Sequence, residues 1–291
     1  ISVVYGSELI NTVNGNDPVA MAEYVRSLGG GGVQMTASGD LAKLRKRLEE
    51  LGMFFEGNAR LPATMAEDTA AFEKSLLDTK AAGGTVARTV SRAPQGSSGR
   101  RYEFFKSYAE FKAWQDNANA IVLKCLPIAE RVGVKLALEN HKDRQVADHA
   151  EFLRKTSSEY LGSLIDPGNN MSLLETPEET VNALAPYVLA TSLKDMGVAP
   201  YQDGFLLSEV VFGTGATDPN GILNQAIQLA VHAARGRLER ERASQHVQQL
   251  PDRRRGQQRR REPEGIWLQE LLLDARQGRS LAAARRGDAR P

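Results

Sequence analysis

The sequence predicts an α/β fold, a (β/α)8 barrel of the TIM type whose eighth strand is missing or replaced by an unrelated tail. Three observations point there. Through the first 230 residues, short apolar runs alternate with amphipathic helical patterns, the arrangement of parallel strands covered by helices. The strand ends near residues 139, 166 and 193 are spaced 27 and 27 apart, the length of one βα unit. No G-x-G-x-x-G follows the first strand, so an open doubly wound sheet is the second choice.

Each element has its own signal. Gly32-Val33-Gln34-Met35 is a short buried strand. Asp40 then caps a helix whose Leu41, Leu44, Leu48 and Leu51 share one face. Met53-Phe54-Phe55 resumes as a strand ending at Glu56. A helix is expected from Met65 to Ala82, closed by Gly83-Gly84, and a strand from Thr85 to Val90. The long helix from about Ser107 to Val132 puts Val122, Cys125, Leu126 and Ala129 on its apolar face. Cys125, the single cysteine, is therefore expected as a core thiol and not a nucleophile. Val134 to Leu138 is a strand ending at Glu139-Asn140-His141, and Leu161 to Ile165 is one ending at Asp166-Pro167-Gly168-Asn169. Thr176, Pro177 and Glu179 form a helix start with a capping box, followed by a stripe of Val181, Leu184, Ala185 and Val188. The seventh strand, Leu189 to Leu193, ends at Lys194-Asp195, and Asp218-Pro219 opens another helix.

Composition narrows the class. The 291 residues are 41% hydrophobic and 25% charged, as in a soluble globular protein. No run approaches the length of a membrane span. The start, Ile1 to Tyr5, lacks both an initiating Met and the cationic region of a secretory leader. One cysteine excludes an internal disulfide and a multi-cysteine zinc site. The expected compartment is the cytoplasm.

A net charge of +1 conceals a division. All eleven lysines lie at or before Lys194. Residues 235–291 carry 15 arginines against 8 acids, whereas residues 1–234 carry 22 basic and 28 acidic side chains. The expected domains are therefore a barrel over 1–231 and an Arg-rich tail over 232–291, disordered or partly helical. The tail admits three readings: a nucleic-acid-binding segment, a solvated appendage, or an out-of-frame translation of a GC-rich gene. Its eight acids and lack of interleaved aromatics weigh against nucleic acid. The abrupt change where strand eight should follow favours the third.

The chemistry-bearing residues are polar groups at strand ends, which converge on one mouth in a parallel barrel. Glu139 and Asp166 end consecutive strands. Two carboxylates with no cation between them repel, and a divalent ion would resolve the repulsion; alternatively each caps the helix that follows. His141 has two readings, a hydrogen bond to a substrate hydroxyl or orientation of Glu139. Lys194 either holds a substrate oxygen or pairs with Asp195, and Asn169 either reaches the mouth or serves a turn. His149, His232 and His246 are expected at the solvated surface.

These pieces resemble a family. Leu136-Ala137-Leu138-Glu139-Asn140, Ile165-Asp166-Pro167-Gly168-Asn169, Ser192-Leu193-Lys194-Asp195 and Gly213-Thr214-Gly215 are similar, in order and spacing, to the sugar phosphate isomerase/epimerase superfamily, the xylose isomerase-like TIM barrels. The resemblance spans residues 15–229. It implies a divalent metal (Mn, Mg, Co or Zn) held by a Glu, an Asp, a His and a second Glu. It also implies proton transfer beside the carbonyl of a sugar, sugar phosphate or hydroxy-ketone, with Glu139 catalytic. Glu139 and Asp166 match the first two ligands. Ser192 stands where the His belongs, and the second Glu lies on the strand that cannot be found. The metal is accordingly expected to bind weakly, and the chain to be a crippled isomerase or epimerase. A sister lyase or dehydratase and a non-catalytic barrel are the alternatives. The expected partner is a small carbohydrate, with no membrane, no nucleic acid, and self-association through the open sheet edges.

Overall fold

The computed structural model describes residues 2–3, 17–94, 104–201 and 204–217, all within one unit of the chain, residues 1–240. The elements in order are β1 (Ser2–Val3), α1 (Pro18–Ser27), β2 (Gly32–Gln34), α2 (Leu41–Leu51), β3 (Phe54–Asn58) and α3 (Ala70–Ala81). They continue with β4 (Val86–Thr89), α4 (Tyr108–Val132), β5 (Lys135–Glu139), α5 (Val146–Thr156), β6 (Leu161–Ile165), α6 (Pro177–Leu184), β7 (Val188–Thr191), β8 (Asp195–Tyr201) and β9 (Gly204–Val210). Strands β1 to β7 form one parallel sheet in chain order. Each strand pairing with its immediate predecessor is the topology of a barrel, not of a doubly wound sheet.

Local chemistry sets the helix ends. Asp17 caps α1 through Val19 N–H at 2.9 Å, with Pro18 in the first turn, and Asp40 caps α2 through Lys43 N–H at 3.0 Å. Thr176 and Glu179 make the expected capping box. Gly52 and Gly133 close α2 and α4 at φ of 63° and 79°, a left-handed conformation that a side chain disfavours.

Alternation along each strand then divides the side chains. Val33 and Phe55 pack outward against Val25, Leu44 and Leu48 of α1 and α2. Ala87, Leu136 and Leu138 pack against Phe72, Leu76, Val122, Cys125 and Ala129 of α3 and α4. Ile165 and Val188 pack against Val146, Val181 and Leu184 of α5 and α6. Ala137, Leu164 and Ala190 face the other way and meet inside the sheet. Burying a leucine as fully as Leu76 or Leu136 stabilises by about 1.5–3 kcal/mol, so these outer layers fix the strands that carry the mouth. Cys125 is buried as its helix face predicts, and burial raises its thiol to about 11.

Four expectations change. Helix α3 begins at Ala70 rather than Met65, because side chains cap the preceding backbone in a turn. Ala63 N–H donates to Glu67, Glu67 N–H to Thr64, and Ala70 N–H to Asp68. Val188 opens β7 instead of ending the helical stripe, since Ala185–Tyr187 tightens into a 3₁₀ turn. Segment 195–210 forms an unexpected antiparallel hairpin, β8–β9. His149 is buried in α5, not solvated. The helix expected from Asp218, strand eight, His232, His246 and the tail 232–291 lie outside the described residues. Among the described residues, no helix is long and apolar enough to cross a membrane.

Candidate active site at the sheet mouth

Strand parity places the polar residues before it places any chemistry. Glu139 follows Ala137 by two, and Asp166 follows Leu164 by two, so both carboxylates face the interior at the C-terminal edge. Arg88 pairs in register with Ala137, and Gln34 with Glu56. The same edge thus carries Gln34, Glu56, Arg88, Glu139 and Asp166.

Each carboxylate has its own cation. Arg88 Nε and Nη2 both stand 2.5 Å from Glu139 Oε2, and Asn169 Nδ2 donates to Glu139 Oε1 at 3.1 Å. Lys194 Nζ stands 3.3 Å from Asp166 Oδ2 and 2.9 Å from Glu209 of β9. Asp166 Oδ1 accepts from Gly168 N–H at 3.1 Å. The sequence leads to two carboxylates without a protein cation between them, whose repulsion a divalent ion would resolve; the structure instead gives each its own cation, as two ion pairs side by side. The carboxylate side chains are 3% and 2% exposed, whereas Arg88 is 30% and Lys194 19% exposed. The anions form the floor and the cations the rim.

The Asn140 side chain locks this floor. It donates to the Asp166 carbonyl at 2.7 Å and accepts from Asp166 N–H at 2.8 Å, and it also donates to Asn170 at 2.8 Å. The ends of β5 and β6 are thereby joined by a side chain where the ladder stops.

The charges reflect these surroundings. Burial pushes Asp166 up to about 6, opposed by Lys194 and reinforced by the negative charge of Glu139. Burial would lower Lys194, but Asp166 and Glu209 outweigh it and hold the ammonium above its ordinary value. Burial also raises Glu56, against a 2.9 Å hydrogen bond from Gln34.

Lys194 does not pair with Asp195, as one reading expected. Asp195 instead accepts from Gly213 and Gly215 N–H at 3.0 and 2.7 Å, and from the Thr217 hydroxyl and N–H. The Thr217 hydroxyl, with those backbone donors, holds Asp195 down to about 2. A Cβ on Gly215 would lie 2.3 Å from Asp195 Oδ1, so Gly213-Thr214-Gly215 is a backbone cradle for this carboxylate. Asn169 serves both expected roles: its backbone turns on Asp166, and its side chain reaches Glu139. His141 is half-buried, and its backbone N–H donates to Asp143 at 3.0 Å. Ser192 is half-buried, and its N–H continues the β6 pairing to Ile165.

Arg88 and Gln34 lie inside strands rather than beyond their ends, and Glu56, a strand end in the sequence, gains a site role only through its register with Gln34. A charged residue inside a strand that helices cover on its other face has only the interior to occupy, and that signal was present at Arg88. For a divalent ion the donor set fits poorly. Glu139 and Asp166 have all four oxygens engaged, Ser192 is a weak ligand, and no group of three His, Cys, Asp or Glu able to hold a metal occurs among the described residues.

No family model matches the chain. A curated relative, 3-oxo-isoapionate decarboxylase of Pectobacterium atrosepticum, is 29% identical over 198 residues, covering 67% of this chain and 64% of that protein. The chain thus spans less than two thirds of that relative's length. Among solved structures, the IOLI protein with a bound zinc atom superposes with a TM-score of 0.56 at 16% identity, over 76% of this chain and 83% of that one. The 3-keto-D-glucoside 4-epimerase of E. coli superposes at 0.54 and 12%, over 73% and 82%. A xylose isomerase-like TIM barrel protein from Mycobacterium smegmatis in complex with magnesium superposes at 0.50 and 17%, over 73% and 79%.

Proposed function

The chain has the fold of the xylose isomerase-like TIM barrels, and on that premise we propose that it acts on a small keto-sugar or sugar-derived keto acid by forming an enolate at the mouth. The observation that carries this reading is the pair of buried carboxylates on adjacent strands, each with a cation at the rim. An enolate needs positive charge at the carbonyl oxygen and a group that moves a proton at the neighbouring carbon. Arg88 and Lys194 supply the charge. Glu139, the residue expected to be catalytic, and Asp166 are the proton carriers, while Asn169 and His141 are offered to substrate hydroxyls. Returning the proton to another face gives epimerisation and to another carbon isomerisation; the structurally similar 3-keto-D-glucoside 4-epimerase and L-ribulose 3-epimerase support the first.

The curated relative favours a second outcome on the same site. In a 3-oxo acid, the bond to the carboxylate breaks, its electron pair moves onto the carbonyl oxygen as an enolate, and CO2 leaves. A carboxylic acid then protonates the carbon. The 29% match to a decarboxylase supports this branch. Incubation in D2O with a panel of ketoses and one 3-oxo sugar acid, followed by NMR, tests both. Deuterium entering next to the carbonyl of recovered ketose, or into a decarboxylated product, is expected. Absence of both would defeat the reading.

A further inference from the structure

We propose that Arg88 and Lys194 take the place of a divalent ion in this mouth, satisfying Glu139 and Asp166 and excluding the metal. The inference rests on the reading that these two carboxylates form the site. Two monocations carry the same +2 as one divalent ion, so the floor is neutralised without it. Geometry supplies the exclusion. Arg88 presents two nitrogens to Glu139 Oε2 at 2.5 Å, and Asn169 takes Oε1. Lys194 covers Asp166 Oδ2, and Gly168 N–H takes Oδ1. A metal entering between the carboxylates must therefore expel one or both cations, which would then sit unpaired beside a dication. The half-buried Ser192 offers only a hydroxyl in return, and a hydroxyl is a weak ligand for a transition metal.

The two cations are held unequally. Arg88 sits inside β4, two residues beyond Val86, so the strand delivers its guanidinium to the interior. Lys194 follows β7 and is shared with Glu209, which is largely exposed. Removing Arg88 should therefore open the metal position more than removing Lys194.

Calorimetric titration of the full chain with MnCl2 at low ionic strength tests this, because its readout is metal binding and not turnover. The intact protein is expected to bind no more tightly than about 1 mM. Arg88→Met should tighten binding by about tenfold or more, equivalent to ~1.4 kcal/mol, and Asp166→Asn in that background should abolish the gain. Lys194→Met, at a partly exposed position, should show a smaller gain and serves if Arg88→Met fails to give a cooperative melt. Micromolar binding by the intact chain, lost in Asp166→Asn, would overturn the inference. So would folded variants with no gain, since missing ligands alone would then explain weak binding. Either failure leaves the D2O experiment untouched, because enolate formation is measured there without reference to a metal.

Discussion

Two clusters of buried charge lie close together in sequence and do different work. At the mouth, Glu139 and Asp166 face Arg88 and Lys194 across short contacts, and both cations reach the surface. Just after β5, Asp143 and Arg144 are 0% and 1% exposed. Arg144 donates to Asn119 of α4 at 2.9 Å and to Ser91 beyond β4 at 2.7 Å, and it lies 5.8 Å over the Phe152 ring of α5. His149 is fully buried with neither ring nitrogen hydrogen-bonded. Burial, joined by the charge of Arg144, lowers it to about 3, so it is a neutral core ring. The mouth keeps its charges accessible; the second cluster seals them in as a joint between helices. Accessible paired charge is available for chemistry, whereas sealed charge serves packing.

Substitutions should separate the two. The largest effect is expected at the mouth, on turnover: Glu139→Gln and Asp166→Asn should each lower the rate of deuterium entry by roughly 10²–10⁴, the usual worth of a proton-transferring group. At the joint, Arg144→Met leaves Asp143 buried without its cation and should cost about 3–5 kcal/mol in urea unfolding. A loss under about 1 kcal/mol would show that the joint is no joint.

His149 sharpens the contrast through pH. Its folded value lies below its ordinary value of 6.5, so the unfolded chain takes up the proton first. Its stabilising contribution is complete above about pH 6.5 and is lost as pH falls toward 3. The ceiling is on the order of 5 kcal/mol. Wild type should lose stability relative to His149→Leu in melts as the pH drops from 7 to 4, because only wild type carries the titrating ring; a difference that stays constant with pH would contradict this. The smallest effect belongs to Glu209→Gln, which removes an exposed partner of Lys194 and should change stability by about 0–1 kcal/mol, as urea unfolding would measure.

How far the sequence could be read follows from the same physics. Glu139 and Asp166 were legible because each ends an apolar run, and a strand in a helix-covered sheet announces its mouth that way. The helix caps at Asp40 and Thr176 were legible because capping is local. Arg88 lies inside β4 and not at its end, so its place in the site is legible only from strand parity, which points it inward. Asp195 is the sequence neighbour of Lys194, but the lysine's acceptors are Asp166 and Glu209, 28 and 15 residues away; contacts of that kind need the sheet register. The burial of His149 has a sequence signal, its spacing with Val146 and Leu153 on the buried face of α5. The β8–β9 hairpin was illegible for a physical reason. Val198, Tyr201, Phe205 and Leu206 are about half exposed, and Gly197 and Pro200 interrupt the alternation by which strands are recognised.

The central claim is that reactivity sits at the mouth and not at the joint, and one paired measurement addresses it directly. Deuterium entry and the melting midpoint are recorded on the same samples of wild type, Glu139→Gln and His149→Leu. The account predicts that Glu139→Gln still melts cooperatively but loses exchange by at least about a hundredfold, while folded His149→Leu exchanges at the wild-type rate. Exchange that survives intact in Glu139→Gln would contradict it and move the chemistry elsewhere in the molecule.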